Sequence, residues 1–369
     1  HEAEIIDADG APMAVEEGHV FLSGSPIYVV LPKLGPKRLV ATLSAARFSL
    51  PPVKMAFVLD RVDSVKLLTT SQTPDQAVSG KIELGGRLDG QALPVLPPKP
   101  LNVLPENTVA VRLGLPAMAI VNNRMLELDA QFVTDSGIRA AATRRFDLWP
   151  TKRLTTPPTI DANLAEFAAL PPIVLDKAEN VIPPDAVSMH KLWQGPDDLS
   201  ARVWTAWDDQ HMYVAANITD AVHRQDSTGG SIWRNDMLHI GFDMLNDTLD
   251  IEFSGKGGHD GRNDFEMGLA LTKNGPEVHE WTSGAEKARG KHPTARLAVV
   301  RDGTHTRYEL AIPWQELGNA IPRAGHIFGF GFVVMNSNDG ETARYWLQFT
   351  PGICGGKDPS QYADFVLVE

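Results

Sequence analysis

The sequence predicts an all-β chain made of two or more β-sandwich domains. Three observations predict it. Short runs of alternating apolar and polar residues recur along the chain. Gly, Pro, Asn and Asp punctuate those runs, and no long helix is visible between them.

The elements follow in order. HVFLS (19–23) and PIYVVL (26–31) come first, and residues 1–35 read as the closing strands of an earlier sandwich, ending near PKLGPK (32–37). LVATLS (39–44), KMAFVL (54–59), KIELGGRL (81–88), TVAVRLGL (108–115) and LELDAQFV (126–133) then build an immunoglobulin-like sandwich over 36–150. Within it, PVLPPKPLNVLP (94–105) is too rich in proline for a central strand and reads as a connection or an edge. The stretch WPTKRLTTPPTI (149–160) marks a stiff polar linker, placed at 151–160. A last sandwich over 161–369 carries ARVWTAWD (201–208), HMYVAANIT (211–219), MLHIGFD (237–243), DFEMGLALT (264–272), ARLAVVR (295–301), RYELAIPW (307–314), IFGFGFVVMN (327–336), ARYWLQF (343–349) and ADFVLVE (363–369). One helical turn is expected at 314–317, after Pro313.

Composition bounds the function. The 369 residues are 43% hydrophobic, enough for real cores. The net charge of −12 argues against nucleic acid and against anionic membranes, and no apolar run approaches the roughly 20 residues of a membrane span. The single cysteine, Cys354, excludes an internal disulfide framework. Residues 1–155 hold 17 Lys and Arg against 16 Asp and Glu, while the remainder holds 17 against 30. Seven of the eight tryptophans also follow residue 155, so the two parts are expected to do different work. The chain begins at His1 rather than Met, which reads as a processed or trimmed end.

No phosphate loop and no nucleophile elbow occurs, and no catalytic residues are assigned. The most informative stretch is SIWRNDMLHIGFD (231–243). Leu238, Ile240 and Phe242 alternate toward a core, while Met237, His239 and Gly241 face the other way. Trp233 and Asp236 stand at the mouth of that second face. A flat ring takes the C–H face of a pyranose and nearby polar groups take its hydroxyls; packing in a core is the other reading of Trp233. Asp236 with Glu266 or Asp243 is a candidate acid pair for glycoside hydrolysis, against the reading that these acids cap strands, bind calcium or contact sugar hydroxyls. Asp243, Asp247 and Asp250 offer hard oxygen ligands suited to Ca²⁺, the one cofactor suggested, with a solvated loop as the alternative. Trp204, Trp207 and Trp314 read as packing residues.

From Ile160 onward the chain resembles the family 9 carbohydrate-binding modules and their DOMON-like relatives. Several landmarks carry the resemblance, in order: Pro158 to Asp161; Asp198 to Ala201; Ala206 to Asp209 with Met212 to Val214; Asp220; Ile232-Trp233 through Asp236 to Phe242-Asp243; Tyr308-Glu309 through Ile312-Pro313-Trp314; and Asp358 to Ser360 through Phe365. The resemblance implies a DOMON-like sandwich that holds a sugar between two tryptophans. Trp233 matches the first. Gly356 stands where the second is expected, His239 where an acid is usual, and Glu266 where an arginine is usual. Trp281 or Trp346 is then the candidate second wall. The implied binding set is Trp233, Asp236, His239, Glu266, Trp281 and Trp346, with a poly- or oligosaccharide as partner. The segment GHVFLSGSPIYVV (18–30) resembles the closing strands of the sandwich that follows many glycoside hydrolase barrels. That implies a non-catalytic accessory region of a bacterial, secreted, periplasmic or cell-surface polysaccharide-degrading enzyme, with the catalytic hydrolase as domain or partner chain. The alternatives are purely structural domains that pack on such a barrel, or a hydrolase acting within this chain.

Overall fold

The computed structural model describes residues 4–6, 19–21, 28–30, 47–49, 51–182, 193–249, 263–283, 290–291, 294–318, 320, 322–338, 345–354 and 356–369. The fold is all-β, and the helical segments among these residues are short 3-10 turns. None is long and apolar enough to cross a membrane. The chain divides into two compact units. One comprises 1–58, 66–116 and 125–145, the other 59–65, 117–124 and 146–369.

The amino-terminal part begins with four short strands, β1 (Glu4–Ile6), β2 (His19–Phe21), β3 (Tyr28–Val30) and β4 (Arg47–Ser49). β1 pairs antiparallel with β3, and β2 pairs parallel with β4. The expected LVATLS strand lies outside the described residues. Next come β5 (Val53–Arg61), β6 (Ser64–Ser71), β7 (Val78–Leu88), β8 (Gln91–Ala92), β9 (Lys99–Val103), β10 (Thr108–Gly114), β11 (Arg124–Thr134) and β12 (Arg139–Arg153). β5, β6 and β10 form one sheet, and β7 pairs with β8, β9 and β11. In β11 the residues Leu126, Leu128, Ala130 and Phe132 are buried at every second position, the signature of a strand with one face on a core. β9 carries Pro100 at the rim of its sheet, where the missing N–H costs no ladder bond, as the proline-rich sequence there suggests.

The expected linker at 151–160 begins inside a strand. β12 continues through Arg153, and its segment Leu148–Lys152 pairs in parallel with Asp364–Val368. Thr151 is buried and its hydroxyl is 2.9 Å from that of Thr205. The first residues of the stretch that reads as a polar linker are therefore part of a strand, with Thr151 turned into the protein.

The second unit contains β13 (Ile173–Leu175), β14 (Val181–Ile182), β15 (Leu199–Trp207), β16 (His211–Asp220), β17 (Met237–Asp243), β18 (Asp264–Thr272), β19 (Gly275–Ser283), β20 (Gly290–Lys291), β21 (Arg296–Asp302), β22 (His305–Pro313), β23 (Ile327–Asn336), β24 (Tyr345–Gln348) and β25 (Ala363–Val368). One layer runs β13-β15-β16-β22-β21. The other runs β20-β19-β18-β17-β23, and β23 then pairs with β25 along its first half and with β24 along its second. Val203, Met212, Val214, Ala216, Leu310 and Ile312 of the first layer meet Leu238, Ile240, Phe242, Met267, Phe330 and Phe332 of the second in one core. Each large apolar side chain so buried contributes about 1.5–3 kcal/mol. Trp207 and Trp314 are buried, and their indole N–H groups donate to the carbonyls of Val368 and Asp208. Half-buried Trp204 donates to Leu170, so all three tryptophans read as packing residues serve packing. Pro313 is followed by a 3-10 turn, Trp314–Glu316.

Candidate functional site

The site face is the outer side of the second layer. Because Leu238, Ile240 and Phe242 point to the core, Met237, His239 and Gly241 point outward, as the alternation in the sequence requires. The same alternation puts Glu266 and Gly268 of β18, and Gly329, Gly331 and Val333 of β23, on that side. The glycines there make room for other parts of the chain. A methyl group on Gly241 would collide with the Tyr362 hydroxyl. One on Gly331 would stand 2.8 Å from Thr350 Oγ1 and 2.9 Å from the Tyr362 ring. One on Gly268 would stand 2.6 Å from the Trp281 ring.

The face thus has borrowed walls. Trp281, from β19, packs with Ile232, Met237, Ala270 and Met335. Its ring lies 4.8 Å from that of His239 and 5.3 Å from that of His279. Trp346, from β24, and Cys354 both pack against Val333, Ile353 and Tyr362. Burial pushes the Cys354 thiol up to about 11, which leaves it protonated and unreactive at neutral pH.

Trp233 sits on the 3-10 turn Gly229–Arg234 and is 43% exposed, with the Arg234 guanidinium 5.5 Å from its ring centre. Among the described residues it is the aromatic residue with a large exposed surface; the other exposed large apolar residues are aliphatic. Its neighbour Ile232 is wholly buried and anchors the turn against Met237. Gly356, the position of the expected second tryptophan, is exposed with open space around it.

The polar residues are used differently from one another. His239 Nε2 is 2.6 Å from Glu266 Oε1, and the Lys357 ammonium closes on the same carboxylate. Glu266 is 2% and His239 4% exposed, so the half-exposed Lys357 is the part of this trio that solvent meets. Three polar atoms beside the trio are buried without a hydrogen-bond partner: the Tyr362 hydroxyl, Thr350 Oγ1 and Trp346 Nε1. Burial and the nearby Glu266 carboxylate hold the Tyr362 phenol well above its ordinary value, in its neutral form.

Asp236 does not reach this face. It is buried, accepts the backbone N–H groups of Arg224 and Ser337, and lies beside Asp220 and His223. Burial, then the neighbouring Asp220 carboxylate, raises Asp236 to about 8, and burial raises Asp220 as well. Asp243 is also buried, and it serves its own loop. Its carboxylate accepts the N–H groups of Leu245, Asp247 and Thr248, and burial raises it to about 6. Asp247 accepts from the Asn263 side chain, while Asp250 lies outside the described residues. Asp236, Glu266 and Asp243 are thus each engaged by separate partners. The sequence reading missed Lys357, Tyr362, Thr350 and His279. The alternating glycines of FGFGF in β23 were the available signal, since glycine inside a strand marks close approach.

The family model described as carbohydrate family 9 binding domain-like matches residues 176–369. Similar solved structures include a family 9 carbohydrate binding module from Caldicellulosiruptor kristjanssonii in complex with cellotriose. It is 16% identical, covers 60% of this chain and 93% of its own, and has a TM-score of 0.43. A structure of a family 9 module from the same organism with glucose is 15% identical, covers 59% and 95%, and has a TM-score of 0.43. No curated protein sequence matches. The matched segment is more than half of the chain, which therefore belongs to the carbohydrate family 9 binding domain-like family.

Proposed function

We propose that the chain binds a poly- or oligosaccharide on the outer face of β17, β18 and β23, with Trp233 as the stacking platform. The observation that carries the reading is the 43% exposure of Trp233, on a turn whose other apolar residue is buried. A large indole left in water at the edge of a built face is what pyranose stacking uses, and one such ring contributes on the order of 1–2 kcal/mol. The unpartnered Tyr362 hydroxyl, Thr350 Oγ1 and Trp346 Nε1 support it, since a sugar hydroxyl or a bridging water would meet their missing bonds. Trp281 is the candidate second wall, because it stands next to the same turn and its indole N–H donates to Gly230. His239 and Glu266 act from beneath, through Lys357. Retention on insoluble and immobilised glycans, compared for the wild type and Trp233→Ala, tests this. The wild type is expected to be retained on at least one glycan and Trp233→Ala about tenfold less. No retention of the wild type on any glycan would sink it.

A second reading has an observation in its favour. Glu266 and His239 are spent on each other and on Lys357, as in a face adapted to packing. In that case the region is architectural, and its thermal stability responds to a catalytic partner and to no sugar. In either reading we infer an accessory region of a secreted, bacterial polysaccharide-degrading enzyme, which would raise the effective concentration of catalyst at the polymer. Sequencing of the reading frame upstream of His1 is expected to reveal a glycoside hydrolase domain.

A further inference from the structure

A second cluster lies where β16 ends and β17 begins. Asp220 closes β16, Asp236 precedes β17, and His223 belongs to the loop between them. One ligand atom from each lies within 4.8 Å of the others. His223 Nδ1 is 3.5 Å from Asp236 Oδ2 and 3.8 Å from Asp220 Oδ2. We propose that Asp220, His223 and Asp236 form a binding site for a divalent transition-metal ion of the zinc type.

Four features support the site. The first is spacing. Hydrogen bonds of this kind run about 2.7–3.2 Å, so both contacts are long. The edge of a tetrahedron with metal–ligand bonds of about 2.0–2.1 Å is about 3.3–3.4 Å, and the separations here, 3.5 and 3.8 Å, are slightly longer. The second is fixation. Val222 N–H holds Asp220 Oδ1 at 3.0 Å and Ser337 N–H holds Asp236 Oδ1 at 2.6 Å. The Arg224 N–H also donates to Asp236 Oδ2. These bonds set both carboxylates before any ligand arrives and leave Asp220 Oδ2 turned toward the imidazole.

The third is charge. Two buried carboxylates face each other, and the Arg301 guanidinium answers only from one side. Its Nη1 is 3.7 Å from Asp220 Oδ2, while its Nη2 donates to the Asp220 carbonyl at 2.6 Å. A buried pair of like charges calls for a cation or a shared proton between them. The fourth is donor chemistry. An imidazole nitrogen beside two carboxylate oxygens suits Zn²⁺ and its neighbours, whereas Ca²⁺ and Mg²⁺ take all-oxygen sets. The site is distinct from the Trp233 face: Asp236 turns away from it, and neither reading depends on the other.

The test uses the full chain stripped with a chelator, then titrated with ZnCl₂ and, separately, with CaCl₂. One equivalent of zinc is expected to remain after dialysis, with a rise in the thermal midpoint that calcium does not reproduce. His223→Ala, in a loop and outside the core, is expected to keep the fold and weaken that zinc equivalent about tenfold or more, in line with loss of one ligand. Asp236→Asn is the second variant, and its circular dichroism is checked first. A wild type that holds no stoichiometric zinc, or a His223→Ala protein that holds it equally well, overturns the proposal and leaves a shared proton as what joins the two acids.

Discussion

Tyr362 shows how much of the site depends on residues that are absent. Its ring lies over Gly241 and Gly331, and its hydroxyl finds no partner. Gly241→Ala is expected to force the ring aside and to cost about 1–3 kcal/mol in urea denaturation, the usual range for overpacking. Tyr362→Phe should leave stability unchanged or slightly raised, because no bond is lost, while glycan retention falls if the hydroxyl meets the sugar. A Phe variant that unfolds much more readily would mean the hydroxyl has a protein partner. At this scale the sequence was readable where chemistry and pattern coincide. Trp233 is exposed and His239 lies on the outward side of its strand. Asp236 was not readable, because a carboxylate immediately before a strand looks the same whether it faces a ligand or accepts backbone N–H groups. Lys357 and Tyr362 were hidden because they are distant in sequence, Lys357 standing 91 residues after Glu266, and only the fold brings them onto Glu266 and Gly241.

Among elements, β17 and β23 were plain, whereas β6 was overlooked although its burial alternates. β17 and β23 fall where alternation puts them. β19, Gly275–Ser283, was overlooked because its apolar residues are few and its pairing to β18 shifts register between Glu266 and Met267. The residue skipped by that irregularity is Trp281, whose ring lies over Gly268. β12 is absent from the strands expected above, and its last residues resemble a linker because of Pro150 and the threonines that follow; a parallel neighbour, β25, makes a strand of them. The same logic gives Glu309 of β22 a joining role. Its buried carboxylate accepts the N–H groups of Asp161, at 3.0 Å, and Ala162, at 2.8 Å. Glu309→Ala would strand both amides and is expected to cost about 2 kcal/mol or more. Increased proteolysis near residue 161 would report the same loss, and an unchanged denaturation midpoint would refute it.

For the whole molecule, the uneven charge and tryptophan content pointed to two parts, and the second compact unit holds the matched family segment. The fold class was readable from the strand pattern alone. Stability against pH was not, since it turns on burial. His326 is a case in point. Its Nε2–H donates to the Met244 carbonyl at 2.9 Å, and burial holds its imidazole below the ordinary value despite that bond. A depressed folded value means the neutral ring stabilises the fold above about pH 6.5 and this contribution fades as pH falls through the folded value. The thermal midpoint is expected to drop on acidification below about pH 6.5, and His326→Gln, which keeps a donor, should flatten the drop. An identical pH profile in that variant would remove His326 from the account.

The glycine-lined face has a consequence for how this domain can change. Most of the chemistry that stands on it belongs to Trp281, Thr350, Lys357 and Tyr362, and the strands beneath supply mainly clearance. A new specificity therefore does not require a rebuilt sheet. Exchanging the stretch from 350 to 362 would replace Thr350, Lys357 and Tyr362 together and leave Tyr345 and Leu347 of β24 in the sheet's hydrophobic core. Only the fit of an aromatic ring over Gly241 and Gly331 would need to be kept, so the domain behaves as a fixed frame with an interchangeable insert.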